Sequence, residues 1–120
     1  MILTIPGKLT TLNEYIAANN RSRYHSAGMK KYDTQRVEWQ IMSDKNLKTI
    51  TDKRVFSFTW IRKNQKTDPD NIASFGTKVI LDALVNQKIL PNDGWKYVKE
   101  INHRFFQGKE DLTELEIIKI

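Results

Sequence analysis

Six residues near the middle of the chain, Lys66-Thr67-Asp68-Pro69-Asp70-Asn71, carry the plainest chemical signal. Asp68 and Asp70 stand two apart. In an extended segment side chains two apart point the same way, so both carboxylates can converge on one point. Pro69 pushes Asp68 toward an extended conformation. A third carboxylate, Asp93, lies in the turn Pro91-Asn92-Asp93-Gly94. Clustered carboxylates suit Mg²⁺, a hard cation that takes oxygen ligands and keeps several waters. One or two such ions can activate a water and stabilise the leaving oxygen in phosphodiester cleavage. The bland alternative is a turn followed by an N-cap, with the negative charge favourable against the helix dipole. An EF-hand is excluded, because Ile72, Ala73 and Val79 stand where a ligand, the turn glycine and the terminal Glu are required.

The charge balance fits a phosphate partner. The 120 residues hold 20 Lys and Arg against 14 Asp and Glu, a net charge of +6. A basic excess points to a polyanion, and nucleic acid is the usual one. Arg62, Lys63 and Lys66 lead directly into Asp68 and are the first candidates for phosphate contact. Arg21, Arg23, Lys30 and Lys31 form a second basic stretch, with Tyr24, His25 and Tyr32 interleaved. Cations there can meet phosphates and aromatics can stack on unpaired bases, although a solvated loop explains the composition equally well. Glu110, Asp111, Glu114 and Glu116 gather elsewhere and are expected to face away from DNA.

Other chemistries are excluded. There is no cysteine, hence no disulfide, no Cys-based zinc site and no thiol catalysis. His25 and His103 have no partners at zinc-ligand spacing. No P-loop, dinucleotide fingerprint or Ser-His-Asp arrangement is present, so no nucleotide cofactor is expected. No apolar run approaches the roughly 18 residues of a membrane span, so no membrane partner is expected. The first residues lack a secretory pattern, and the expected location is the cytoplasm.

The elements that must position these groups read as β, α, α, β, α, β, β. Residues 1–5 are apolar and β-branched, and Pro6-Gly7 ends them. Thr11 with Glu14 forms a capping box for a short helix that stops at Asn19-Asn20. Residues 20–31 read as a loop, after which Asp33 or Thr34 caps a helix to about Lys45. Residues 53–63 alternate around Phe56, Phe58 and Trp60 as a strand. Asp70 or Asn71 caps a long helix to about Gln87, with Gly76 inside it and Ile72, Phe75, Val79, Ile80, Ala83 and Leu84 on its apolar face. Such a glycine often permits close packing on a sheet. Residues 97–106 and 112–120 are two further strands. Trp39, Trp60 and Trp95 are expected in the core. The implied fold is a single α+β domain, a mixed or antiparallel sheet of about four strands with helices on one face. A helix of about 18 residues separates Asp70 from Asp93 by roughly 27 Å unless the chain doubles back after it.

The run DPDN (Asp68 to Asn71), a helix ending in LDAL (Leu81 to Leu84) and then PNDG (Pro91 to Gly94) resembles the RusA family of Holliday junction resolvases. The resemblance spans residues 66–98, with looser support from the amino-terminal strand and the basic segment that follows. It implies a small endodeoxyribonuclease that needs Mg²⁺, with Mn²⁺ able to substitute, and that cuts four-way junction DNA as a homodimer. Asp68, Asp70 and Asp93 match the family's catalytic, metal-binding carboxylates, and Asn71 matches the residue after the second Asp. The family's lysine, one helical turn after D-x-D-N, has Ser74 in its place here. Lys78 comes a turn later, four residues before Asp82, at the spacing the family shows before the Asp of its D-A-L run. Either four residues are inserted before a catalytic Lys78, or the role is vacant and Lys78 pairs with Asp82. A junction-binding accessory protein without cleavage is the alternative function.

Overall fold

The computed structural model describes all 120 residues. Alternation builds the sheet. Strand β1 (Ile2–Pro6) buries Leu3 and Ile5; β2 (Arg54–Arg62) buries Phe56, Phe58 and Trp60; β4 (Leu112–Lys119) buries Thr113, Leu115 and Ile117. Strand β3 (Val98–Gln107) lies at one edge and is mostly exposed. The strand order is β1-β4-β2-β3. β4 runs antiparallel to both β1 and β2, whereas β3 runs parallel to β2. The sheet is therefore mixed. The buried residues of β1, β2 and β4 share one face, and they form a single core with residues from the helices. The architecture is the α+β domain expected from the element order.

Helix α1 (Leu12–Arg21) starts at the expected capping box. Thr11 Oγ1 accepts from the Glu14 N–H at 3.2 Å, and Glu14 Oε1 accepts from the Thr11 N–H at 2.9 Å. It runs one residue past Asn20. The loop expected over residues 20–31 is instead mostly helix. Helix α2 (Arg23–Ser43) starts just after Ser22, whose Oγ accepts from the His25 N–H at 3.1 Å. The polar composition misleads because this end of α2 buries almost nothing. A serine cap and solvent-facing side chains are sufficient for a helix docked elsewhere along its length. Asp33 caps nothing. It lies inside α2, only 2% exposed, and accepts from the Thr10 N–H at 2.6 Å, tying α2 to the β1–α1 connection.

Helix α3 (Pro69–Asn86) crosses from β2 to β3. Its N-cap is Asp68, not Asp70 or Asn71, and Pro69 occupies the first helical position. That position suits proline, whose missing N–H is one of the orphan donors there. A Cβ on Gly76 would lie 2.9 Å from the Trp60 ring, so the α3 backbone rests directly on β2. After Asn86 the chain turns sharply. Lys88 has φ +60°, and the Leu84 carbonyl accepts from the Ile89 and Leu90 N–H groups at 3.0 and 3.2 Å. Of the three tryptophans only Trp60 is in the core; Trp39 and Trp95 are exposed, contrary to expectation, Trp95 to 92%. Both sit outside the residues that alternate onto the buried sheet face. No helix is long and apolar enough to cross a membrane.

The close seat of α3 is testable. Gly76→Ala gains about 1 kcal/mol of helix propensity. It also forces a methyl against a buried tryptophan, and overpacking of this kind costs about 1–3 kcal/mol. The expected net result is a lower urea midpoint with an unchanged slope. A raised midpoint contradicts the seat.

Candidate active site

Helix α3 begins beyond the carboxyl ends of the parallel pair β2 and β3. In open α/β arrangements that crevice is where ligands bind. Asp68 is extended there, with φ −66° and ψ 146°, and its side chain makes no capping hydrogen bond. Asp70 is one step inside the first turn, where its Oδ1 accepts from the Asn71 N–H at 2.9 Å. The two aspartates thus do not share one extended segment: proline starts the helix at once, and Asp70 is already helical. Both still stand at the helix mouth, exposed and neither paired with a cation. Two pockets flank the mouth. One of about 250 Å³ is walled by Trp60, Phe105, Gln107, Ile72 and Asp68. The other, of about 240 Å³, includes Lys8, Glu14, Asn71 and Asp111.

The chain does double back after α3, but not to the mouth. Lys78 Nζ lies 3.2 Å from Asp93 Oδ2 and 3.0 Å from Asp82 Oδ1. Asp82 Oδ2 in turn lies 3.1 Å from Lys30 Nζ on α2. Lys30, Asp82, Lys78 and Asp93 therefore form one chain of alternating charges. Lys78 is eight residues beyond Asp70, about 12 Å along the helix axis. The turn closes about half of the 27 Å gap expected for a straight run. No group of three His, Cys, Asp or Glu side chains converges closely enough to hold one metal ion. Hydrogen bonds from Lys78 to Asp82 first, and then to Asp93, hold its ammonium above the usual lysine range.

The donor chemistry at the mouth fits Mg²⁺ at the level of two carboxylates. Asp68 is without a partner, and Asp70 has one backbone partner, so hard oxygen lone pairs remain available. Magnesium commonly uses one or two carboxylates and completes its shell with water and substrate phosphate. Asp93 is outside this set as it stands, although only its Oδ2 is engaged.

The basic candidates divide. Lys63 and Lys66 are exposed on the loop between β2 and α3, immediately before Asp68. Arg62 is buried and turned inward. Its Nη1 donates to the Ile61 and Leu112 carbonyls at 2.7 and 3.2 Å, and its guanidinium lies over Trp60. Burial holds its pKa below the usual arginine value, and the nearby Asp111 carboxylate offsets only part of this. Arg62 is held beneath the site, and it lines both pockets. Lys30 is engaged by Asp82, while Arg21, Arg23 and Lys31 are exposed around the start of α2. Asn71 braces the mouth, since its Oδ1 accepts from the Asn13 N–H at 2.8 Å and joins α1 to α3.

Asp111 departs from expectation. It does not face away from the site: its Oδ1 accepts from the Lys63 N–H at 3.0 Å, and it lines the second pocket beside Asn71. Pairing of β4 with β2 brings it there, and no local sequence signal marks it. The chain matches no protein-family model and no curated protein.

The Lys78 network predicts a titration. The Lys78 ammonium, followed by NMR, should lose its proton above the ordinary lysine value. Asp82→Asn should lower that value more than Asp93→Asn. A raised pKa means that any stability from these pairs is present at neutral pH and is lost as pH rises through the folded-state value. An ordinary titration unmoved by either substitution contradicts the network.

Proposed function

We propose that this chain is a Mg²⁺-dependent, structure-selective endodeoxyribonuclease that resolves four-way DNA junctions. One observation carries the reading. Two unpaired carboxylates, Asp68 and Asp70, stand at a helix mouth beyond the ends of two parallel strands, with exposed Lys63 and Lys66 on the loop that leads into them. The resemblance of DPDN, LDAL and PNDG to the RusA pattern supports this choice of substrate and reaction.

In this reading Asp68 and Asp70 hold the metal. When bound, Mg²⁺ (or Mn²⁺ in its place) supplies water activation and neutralises charge on the leaving oxygen. Lys63 and Lys66 hold the phosphates on either side of the cut, as flexible point charges. Arg21, Arg23 and Lys31 extend the basic surface and set the hold on the junction arms. Of the two readings of Lys78, catalytic or paired with Asp82, the geometry supports the pair, and the same ammonium fixes Asp93 beside α3 and leaves Asp93 Oδ1 without a partner. Paired nicks on opposed strands require two sites, and a homodimer supplies them. The resemblance to the family supports the cytoplasm of a bacterial cell or a phage-infected host as its location.

A second reading has its own support. Ser74 stands where the family has its lysine, and Asp93 does not reach the mouth. An accessory protein that binds junctions without cutting them would tolerate both.

A labelled synthetic junction separates the two. The nuclease reading expects symmetric nicks with Mg²⁺, none with EDTA and none in linear duplex. Asp70→Asn should abolish nicking and spare binding. Affinity should fall with salt at a log slope of about −0.9 per phosphate neutralised. Tight binding with no nicks in Mg²⁺ or Mn²⁺ contradicts the nuclease and supports the accessory protein.

A further inference from the structure

The longest strand, β3, is an edge, with no strand beyond it. Its backbone presents an outer row of N–H and C=O groups ready to pair with another chain. Its side chains divide by face. The register sets Ile101 beside Phe56, His103 beside Phe58 and Phe105 beside Trp60, so these three continue the apolar face that the helices cover. The rings confirm the continuity: His103 stacks on Phe58 with centroids 5.4 Å apart, and the Trp60 Nε1–H donates to His103 Nδ1 at 3.0 Å. Yet Ile101 remains 40% and Phe105 38% exposed. The core face runs past the cover of its own helices and ends open at the edge. On the other face lie Glu100, Asn102 and Arg104, in that order.

We propose that β3 pairs antiparallel with β3 of a second copy of this chain, about a two-fold axis at Asn102. The strand is self-complementary. In a closed two-fold interface each residue i meets j, and j meets i. Directly opposed residues in an antiparallel pair point to the same face. Only registers that oppose even with even and odd with odd therefore join the two apolar half-faces on one side. Centred at Asn102, such a pairing opposes Glu100 with Arg104 of the second copy, twice over. Ile101 then faces His103 of the second copy. Centring at Ile101 opposes Glu100 with Asn102, and centring at His103 opposes Glu100 with Phe106. Glu100 is the sole carboxylate in β3 and Arg104 its sole guanidinium. One register alone matches them.

The charges on β3 also have a protective reading, since charged side chains blunt a free edge. That reading predicts a monomer and gives no reason for opposite signs at two-fold-related positions. Pairing at Asn102 extends the sheet to eight strands and sets both helix layers on one side of it. Both α3 mouths then lie on the same face, related by the axis. This pairing follows from the strand itself and does not rest on the nuclease reading.

Analytical ultracentrifugation at micromolar concentration tests it, without DNA or metal. The wild-type chain should sediment as a dimer. Glu100→Arg opposes two arginines and should give monomer; Arg104→Glu opposes two glutamates and should do the same. Mixed in equal amounts, the two variants should recover a dimer containing one of each, because every opposed pair is again of opposite sign. This recovery also shows that both variants are folded. A monomeric wild type overturns the proposal, as do variants that remain dimeric alone or that fail to associate when mixed. None of these outcomes depends on whether the protein cuts DNA.

Discussion

The ring of Trp60 occupies the space that any side chain on residue 76 would need. That contact fixes how far α3 stands from β2, and much of the molecule follows from it. Trp60 is itself held by the His103 ring nitrogen and stacked beside Phe58. A helix seated so closely cannot slide along the sheet without driving backbone into an aromatic ring. Its first turn is therefore set just past the carboxyl ends of β2 and β3. Proline at its first position makes the helix start abruptly, so Asp68 remains extended while Asp70 is already in the turn. The exposed carboxylates are consequences of a packing decision made two turns away.

Electrostatics arranges the rest of α3. Asp70, Ser74, Lys78 and Asp82 follow one another at four-residue intervals and share a face of the helix. The lower part of that stripe is neutralised by the chain from Lys30 through Asp82 and Lys78 to Asp93. The mouth is not. Two carboxylates are left without counter-charge on a protein of net charge +6. Exposed pairs such as Lys78 with Asp82 contribute little to stability. Their consequence is positional, since Lys78 decides where Asp93 rests.

Alternation and helical spacing make the strands and the apolar face of α3 legible in the sequence, and the capping box marks α1. Gly76 reads as a close-packing site, and Trp60 is its partner. Other features need long-range information. The start of α2 is obscured because a polar segment with one serine cap looks like a loop. Whether Asp93 returns to the helix depends on Lys88 adopting φ +60°, a conformation its residue type does not announce. Arg62 reads as a surface cation, and only the packing of β2 against β4 turns it inward. Asp111 reaches the site through the same strand pairing, far from it in sequence.

In the proposed nuclease the metal is held at the α3 mouth. Paramagnetic broadening by Mn²⁺, followed on backbone amide signals of isotope-labelled protein, tests it most directly. Signals of residues 68–71 should broaden first, and Asp68→Asn with Asp70→Asn should remove the effect. Broadening centred on the acidic stretch at Glu110, Asp111, Glu114 and Glu116, with 68–71 unaffected, would contradict it.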